Sequence, residues 1–579
     1  MTYKFAKEYF ISSKERYLAL LLLLGVIVSV VGLVAIMALF ASWSVGFWAA
    51  INTMDMILFM SSIKTFVLLT ASYIGVSVAK DYLLGVLTIN WRNWLTTRLI
   101  NKYTASEGNN NYLDLSRHAS ELENPAQRIQ EDVNAYIEQA LSLSINLFQS
   151  LLTIVTFIGN LWIIGGSITI LSITIPGYLV WVALVYSGVA TLLTHLIGRS
   201  LSKHTNNQQN LEAGFRSELE HLSTDAESIA QERGETYYQQ SLNNRFNSIN
   251  DNSFEILGIK IKLTAFNAFY QQISTIIPYI LAAPLYFAGA INIGQLMEVG
   301  FSFSQIQFSL SWLSMSYESL VRFRTSAARI TALENSMNDN GLSTTVKNIN
   351  VRHIESSNVS VQHLNVAYPS STNYMMKELN LTFKPGENTL IKGRSGLGKS
   401  TLFKAIAGTW EYGDGEVLVS SNKRMCFLPQ RPSLPNDTLK SVLAYPDSVG
   451  TYTDEQYKSV LEDVGDLDTF IDKLDTKADW SKRLSLGQQQ RVSFARALLK
   501  KPDWLFLDEA TASLDEESER KMYSLVKNKL RDTTFVSIAH RSTVTQFHDR
   551  VVTLNADKGG DINLDNEIRS AESMELSNF

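Results

Sequence analysis

Six stretches of this chain are apolar over lengths suited to crossing a membrane: about 17 to 40, 57 to 79, 139 to 165, 171 to 197, 264 to 290 and 298 to 321. Each can span ~30 Å of hydrocarbon as a helix. In lipid the backbone must satisfy its own hydrogen bonds, so the N-terminal half is predicted to be an all-α membrane domain of six helices. The run from Tyr17 to Phe40 is longer than the ~7 to 15 residues of a signal-peptide core, so it stays as the first helix. Short connectors at 41 to 56, 166 to 170 and 291 to 297 hold no Lys or Arg, whereas the long ones carry Arg92, Arg98, Lys102, Arg199, Lys203 and Arg216. By the positive-inside rule both termini face the cytoplasm.

The long connectors, about 80 to 138 and 198 to 263, have helical composition throughout and read as membrane helices continuing into the cytoplasm. Near their tips lie LENPAQRIQEDV (Leu122 to Val133) and DAESIAQERGE (Asp225 to Glu235). These polar tips are expected to dock on the soluble half, the alternative being merely solvated helical turns.

From about residue 355 short β-rich runs (NTLIKG, GEVLVS, RMCFLPQ, DWLFLD, TTFVSIA) alternate with helical stretches, the pattern of an α/β domain. The expected organisation is a membrane domain at 1–330, an Asn- and Ser-rich linker at 331–354, an α/β domain at 355–555 and an acidic, frayed tail at 556–579. Charge is nearly balanced, 51 Lys and Arg against 56 Asp and Glu, so nucleic acid is not an expected partner. The single cysteine, Cys426, excludes an intrachain disulfide and a cysteine-cluster metal site, and reads as core filler.

IKGRSGLGKST, Ile391 to Thr401, follows a strand and opens a helix, the context a phosphate-binding loop requires. Gly393, Gly396 and Gly398 let the backbone N–H groups of the loop, including those of Arg394 and Ser395, crowd around phosphate. Lys399 is expected to bridge the β- and γ-phosphates of ATP, Ser400 to ligate Mg²⁺, and Thr401 to continue the site. This motif alone fits kinases, GTPases and many ATPases. Asp508, ending the apolar strand WLFLD, is placed to hold Mg²⁺, and Glu509 is the natural general base for the attacking water. His540 ends another apolar strand and can reach the γ-phosphate or orient the water, although an isolated His is more often structural. Gln430, ending the strand of FLPQRP, can sense Mg²⁺. Tyr368 can stack on adenine, with an ordinary strand aromatic as the alternative.

The series formed by this loop, Gln430, LSLGQ (Leu484 to Gln488), Asp508 and Glu509, Asp515 and His540 resembles an ABC-transporter nucleotide-binding domain over about 355 to 555. The resemblance implies that Ser485, Leu486, Gly487 and Gln488 close on ATP held by a second copy, that Asp515 touches the opposing domain, and that the chain acts as a homodimer. Six helices ahead of one such domain resemble a half-transporter of the exporter-type fold. Leu486 stands where the family usually has glycine. With the loop patterns carrying Asn124, Pro125, Gln127 and Arg128, then Glu227, Gly234 and Glu235, it makes the chain resemble the SbmA/BacA-related (YddA-like) transporters and the peroxisomal fatty-acyl transporters. Two departures limit the likeness: Ala126 stands where that branch usually has Asp, and Gln488 where it usually has Glu.

Cargo must be read from polar residues within the spans. Ser302, Gln305, Ser309, Trp312 and Ser316 recur at helical spacing in the last, and Thr264, Asn267, Gln271 and Thr275 in the fifth. A water-filled cavity and interhelical hydrogen bonding both account for such stripes. Lys64, inside the second span, is expected to snorkel or face that cavity. The candidate cavity residues are therefore Lys64, Gln271, Gln305 and Ser309. The reading that follows is a bacterial inner-membrane ATPase with Mg²⁺ as cofactor, importing hydrophilic peptides, peptide-like antibiotics or cobalamin-like solutes. The rivals are an exporter of lipids or drugs, an acyl-chain or acyl-CoA transporter, and an ATP-gated channel or regulatory membrane ATPase.

Overall fold

The structure is a computed structural model that describes residues 3–104, 111–117, 125–170, 173–337, 349–368, 373–556 and 562–568. The chain divides into two compact units, Met1–Asn340 and Gly341–Phe579.

The first unit is built from long helices: α1 (Arg16–Asn52), α2 (Met56–Tyr103), α3 (Val133–Gly165), α4 (Tyr178–Gly198), α5 (Leu201–Thr224), α6 (Glu235–Phe287), α7 (Ile293–Met315) and α8 (Tyr317–Ser336). With 48 and 53 residues, α2 and α6 are about 70 to 80 Å long at ~1.5 Å per residue, more than twice the hydrocarbon thickness. Each therefore continues far beyond a membrane. Among the described residues four segments are long and apolar enough to cross one: Arg16–Asn52, Met56–Tyr103, Pro125–Gly165 and Tyr178–Thr224. The expected fifth and sixth spans are helical, as parts of α6 and α7, but their Asn, Gln and Ser residues dilute the apolar signal. The expected fourth span starts late, at Tyr178. Pro176 and Gly177 (φ +59°) break the helix, and Ser167–Ile170 pairs antiparallel with Ile173–Pro176 as a hairpin.

An aromatic cluster ties the N-terminus into this unit. The Tyr9 ring stacks on Trp91 (5.5 Å, 4° between planes), and Tyr136 stacks on Phe323 (5.3 Å, 14°). Beside it Glu334, its side chain only 2 % exposed, accepts from Lys4 Nζ at 2.6 Å and from Arg98 at 2.8 Å, while Arg98 also pairs with Glu8. A buried carboxylate is tolerable only when so neutralised, so this cluster fixes the short N-terminal helix Lys4–Lys7 and the turn after it against the ends of α2 and α8.

The second unit has a six-stranded sheet of β1 (Thr389–Gly393), β2 (Met425–Leu428), β3 (Trp504–Asp508), β4 (Thr534–Ile538), β5 (Arg550–Ala556) and β6 (Ile562–Ile568). Its order is β6-β5-β1-β4-β3-β2, parallel except for β6. Both faces are covered, which is why these strands are continuous apolar runs. A four-stranded sheet of Asn350–Ile354, Gly413–Ser420, Val359–Ala367 and Tyr374–Phe383 completes the unit. Two expectations are corrected here. Within the expected linker, α8 runs on to Ser336 and Asn350–Ile354 is a strand pairing with Gly413–Ser420, and within the expected frayed tail β6 pairs with the edge strand β5. In both places backbone pairing to an existing strand supplies order that polar composition does not reveal. Cys426 lies on β2, partly buried against the core.

His548 is fully buried, with Nδ1 2.8 Å from the Val544 carbonyl and Nε2 2.8 Å from Ser537 Oγ. Burial lowers its pKa from 6.5 to about 4, so the unfolded chain binds the proton that the folded one refuses. Stability is therefore full above about pH 6.5 and is lost progressively as pH falls toward 4. Between pH 7.5 and 5 the loss from this group is about 2 kcal/mol. Denaturation midpoints of the full chain should fall over this range, and His548→Gln should flatten the slope.

Candidate functional site

The strand β1 ends at Gly393, and α9 (Lys399–Ile406) begins six residues later, so the intervening loop wraps around the N-terminus of that helix. Gly393 must be glycine for a local reason: at φ +152° a Cβ would stand 2.8 Å from the Leu554 carbonyl oxygen. Gly396 and Gly398 also have positive φ. Lys399 is buried, its Nζ donating to the carbonyls of Gly393 and Arg394 at 2.8 Å each. Desolvation lowers its pKa, opposed by the carboxylates of Glu509 and Asp508. Next to it Ser400 Oγ donates to Asp508 Oδ1 at 2.8 Å. Burial raises the Asp508 pKa despite that bond. Thr401 faces Met375 at 3.9 Å from Oγ1 to Sδ, which brings the second sheet against the loop. Tyr368, half-exposed, follows the strand Val359–Ala367 of that sheet, while Ser395 lies exposed in the loop.

Three adjacent strand ends converge on Glu509. Its Oε2 accepts from Gln430 Nε2 at 3.2 Å, and its Oε1 lies 3.2 Å from His540 Nε2. Its own backbone is left-handed (φ +47°) and its N–H donates to the Ile538 carbonyl at 3.0 Å. A non-glycine residue held there is strained, and such strain collects at functional sites.

Ser485 caps α10 (Leu486–Lys500) in a reciprocal box with Gln488: Ser485 Oγ accepts from Gln488 N at 3.2 Å, and Gln488 Oε1 from Ser485 N at 3.1 Å. The helix thus presents an open N-terminus, with Leu486 51 % exposed beside it. A Cβ at Gly487 would lie 3.3 Å from the Ser513 carbonyl oxygen, which keeps this turn close to the one after Glu509. Asp515 caps α11 (Glu516–Lys529), accepting from Ser518 N at 2.8 Å, and that bond foremost lowers its pKa.

Gln490, 2 % exposed, was not among the expected residues. Its carboxamide oxygen accepts from Ser513 N at 3.0 Å and its nitrogen donates to the Gln430 carbonyl at 3.1 Å. It joins the strand end carrying Gln430 to the turn beyond Glu509. Helical period did not single it out, because α10 is buried on every face from Gln490 to Leu498.

Of the tip residues in the first unit, Asn124 lies outside the described residues. Pro125 and Gln127 form one short turn, and Arg128 opens a π turn (Arg128–Asp132) and donates to the Arg329 carbonyl at 3.1 Å. Glu227 sits in the short helix Ala226–Glu232 between α5 and α6, with Gly234 capping and Glu235 starting α6.

Within the helices of that unit, a cavity of about 390 Å³, lined by amides and hydroxyls among apolar surface, opens between α4, α6 and α7. Of the four candidate cavity residues only Gln271 lines it. Lys64 is an exposed residue of α2, and Gln305 and Ser309 turn away from it. The lining of α7 is Ser304, Gln307, Phe308 and Ser311, the helical face beside the one expected, because Ser302 and Ser309 are packed inward. Helical periodicity finds a polar stripe but not which neighbour it meets.

Residues 6–287 match the family model of ABC transporter transmembrane region 2, and residues 376–512 match that of the ABC transporter ATPase. An uncharacterised ABC transporter ATP-binding protein of Haemophilus influenzae is 31 % identical over 95 % of this chain and 91 % of its own length. The inner membrane ABC transporter ATP-binding protein YddA of Escherichia coli is 29 % identical over 94 % and 95 %. The human lysosomal cobalamin transporter ABCD4 is 24 % identical over 81 % of this chain and 80 % of its own.

Proposed function

The chain belongs to the ABC transporters, with membrane region and ATPase fused in one polypeptide, and on that premise we propose that it is a homodimeric importer of hydrophilic, peptide-like solutes. It is an ATP hydrolase whose turnover drives transport. The observation that carries the residue assignment is the convergence of Gln430 and His540 on the two oxygens of Glu509, next to the Ser400–Asp508 pair. In this reading Glu509 takes the proton of the attacking water, with Gln430 and His540 orienting its carboxylate. Lys399 leaves the carbonyls it now holds for the β- and γ-phosphate oxygens, and Tyr368 stacks on adenine.

Mg²⁺ suits the donors present, since the Ser400 hydroxyl, the Asp508 carboxylate and the Gln430 carboxamide are hard oxygen ligands. Bound there it would neutralise charge on the transferred phosphoryl group. The exposed N-terminus of α10, with Ser485, Leu486, Gly487 and Gln488, closes over ATP of the second copy, and Leu486 loses its exposure in that contact. Two copies give two identical ATP sites.

Six membrane helices, an inner-membrane location with cytoplasmic ATPase, and docking through the tips near Arg128 and Glu227 belong to the same reading, as does the SbmA/BacA branch. YddA is named as an inner membrane protein, which supports the location. The cobalamin transporter among the relatives supports a hydrophilic cargo, and so do the polar residues Asn267, Gln271 and Thr275 on α6. A panel of peptides, cobalamin and acyl-CoA tested for ATPase stimulation in reconstituted membranes should show a response to peptide or cobalamin. A response to acyl-CoA alone moves the protein to lipid transport. ATP-dependent accumulation inside sealed inside-out vesicles would mean export and sink the import reading.

A further inference from the structure

The cavity between α4, α6 and α7 has a chemistry narrower than "hydrophilic". Three carboxamides line it, those of Asn267, Gln271 and Gln307, together with hydroxyls such as Thr191 and the aromatic rings of Tyr270 and Phe308. None of its described lining residues is charged. Ser274 Oγ donates to Gln307 Oε1, which ties α6 to α7 and leaves the amide N–H groups of Gln307 free to donate. Asn267 and Gln271 are exposed and make no side-chain hydrogen bond among the described residues. The Tyr270 hydroxyl is buried without a partner, and its ring is held by stacking on Tyr186 at 4.7 Å.

Unsatisfied amides and hydroxyls are costly in hydrocarbon, so this wall must meet water or a ligand that replaces water bond for bond. A ligand that alternates N–H donors with carbonyl acceptors does so, because each carboxamide offers both. An anionic headgroup finds no cation to pair with here. An acyl chain would strip water from the amides and return nothing. At about 390 Å³ the space is at the small end of ligand sites, which run ~300–1,000 Å³, so it takes part of a larger solute.

We propose that this cavity is the cargo subsite and that it binds the uncharged amide groups of a peptide-like solute through Asn267, Gln271 and Gln307. The inference rests on the reading of the chain as a transporter of hydrophilic solutes. The test uses the full-length protein in proteoliposomes and reads the peptide concentration giving half-maximal ATPase stimulation. The probes are acetyl-tetraglutamine amide, acetyl-tetra-aspartate amide and palmitoyl-CoA.

The neutral peptide should stimulate at concentrations about tenfold below the aspartate peptide, and Gln271→Leu or Asn267→Leu should raise its half-maximal concentration about tenfold each. Gln271→Glu should make an acetyl-tetralysine amide effective where the parent protein ignores it, a gain that no purely structural role produces. Peptide stimulation unchanged by all three substitutions, or equal potency of neutral and aspartate peptides, overturns the subsite alone. Loss of the dimer on size exclusion in the leucine variants overturns it too, by showing that these amides serve a protein interface. Stimulation by palmitoyl-CoA only, or by none of the probes, defeats the cargo reading and the subsite with it.

Discussion

Glu509→Gln is expected to cut steady-state ATP hydrolysis by about 10² to 10⁴ while ATP remains bound. The substitution keeps the size of the side chain and can keep contacts to Gln430 and His540, now 3.2 Å away on either side. It removes the negative charge and with it the capacity to take a proton. The strained backbone at φ +47° is unchanged, since glutamine tolerates it no worse than glutamate. The loss should therefore appear in turnover, with little change in nucleotide affinity, the pattern of a group needed in the transition state. Phosphate release and retention of labelled ATP, measured on the same reconstituted sample, separate the two. If two copies close over ATP as proposed, the variant should hold ATP in the closed dimer, since it lacks the hydrolysis that would release it. Hydrolysis at the parental rate would remove Glu509 from the role of base. It would also revive an ATP-gated or regulatory reading, in which binding matters more than turnover.

What the sequence disclosed and what it hid divide along physical lines. The phosphate loop was legible because its requirements are local: glycines where the backbone turns left-handed, a strand before and a helix after. Asp508 and Glu509 stood out as a carboxylate pair closing a fully apolar strand, and the structure sets them beside Ser400, Gln430 and His540. The polar face of α6 was located by period alone, since Asn267, Gln271 and Thr275 do line the cavity. On α7 period did not suffice, because several Ser and Gln residues offer two candidate faces and only packing decides that Ser302 and Ser309 go inward. Gln490 was hidden by its neighbours: in a run of three glutamines only the helix axis shows which one is buried. The strands Asn350–Ile354 and β6 escaped because each borrows its order from a neighbouring strand that composition does not identify.

Lys399→Ala should weaken ATP binding by about 10²-fold or more, through two losses that reinforce one another. The ammonium is the charged donor of the loop, and bonds from a charged donor contribute ~1.5–3 kcal/mol each. It is also what ties the loop together, donating to both Gly393 and Arg394 carbonyls at 2.8 Å. Removing it leaves both carbonyls without that donor and frees a glycine-rich segment that binding must then re-order. Lys399→Arg separates the effects: it restores charge but cannot fit a planar guanidinium into a pocket where the lysine is only 6 % exposed. The arginine variant should therefore bind nearly as poorly as the alanine one. Titration with a fluorescent ATP analogue gives both affinities, and far-ultraviolet circular dichroism confirms that each variant is folded. If the alanine variant retained the parental affinity, the loop would not be the phosphate site. The chain would then have to hold ATP without its buried, desolvated cation, against the geometry that seats Lys399 on the loop carbonyls in the field of Glu509 and Asp508.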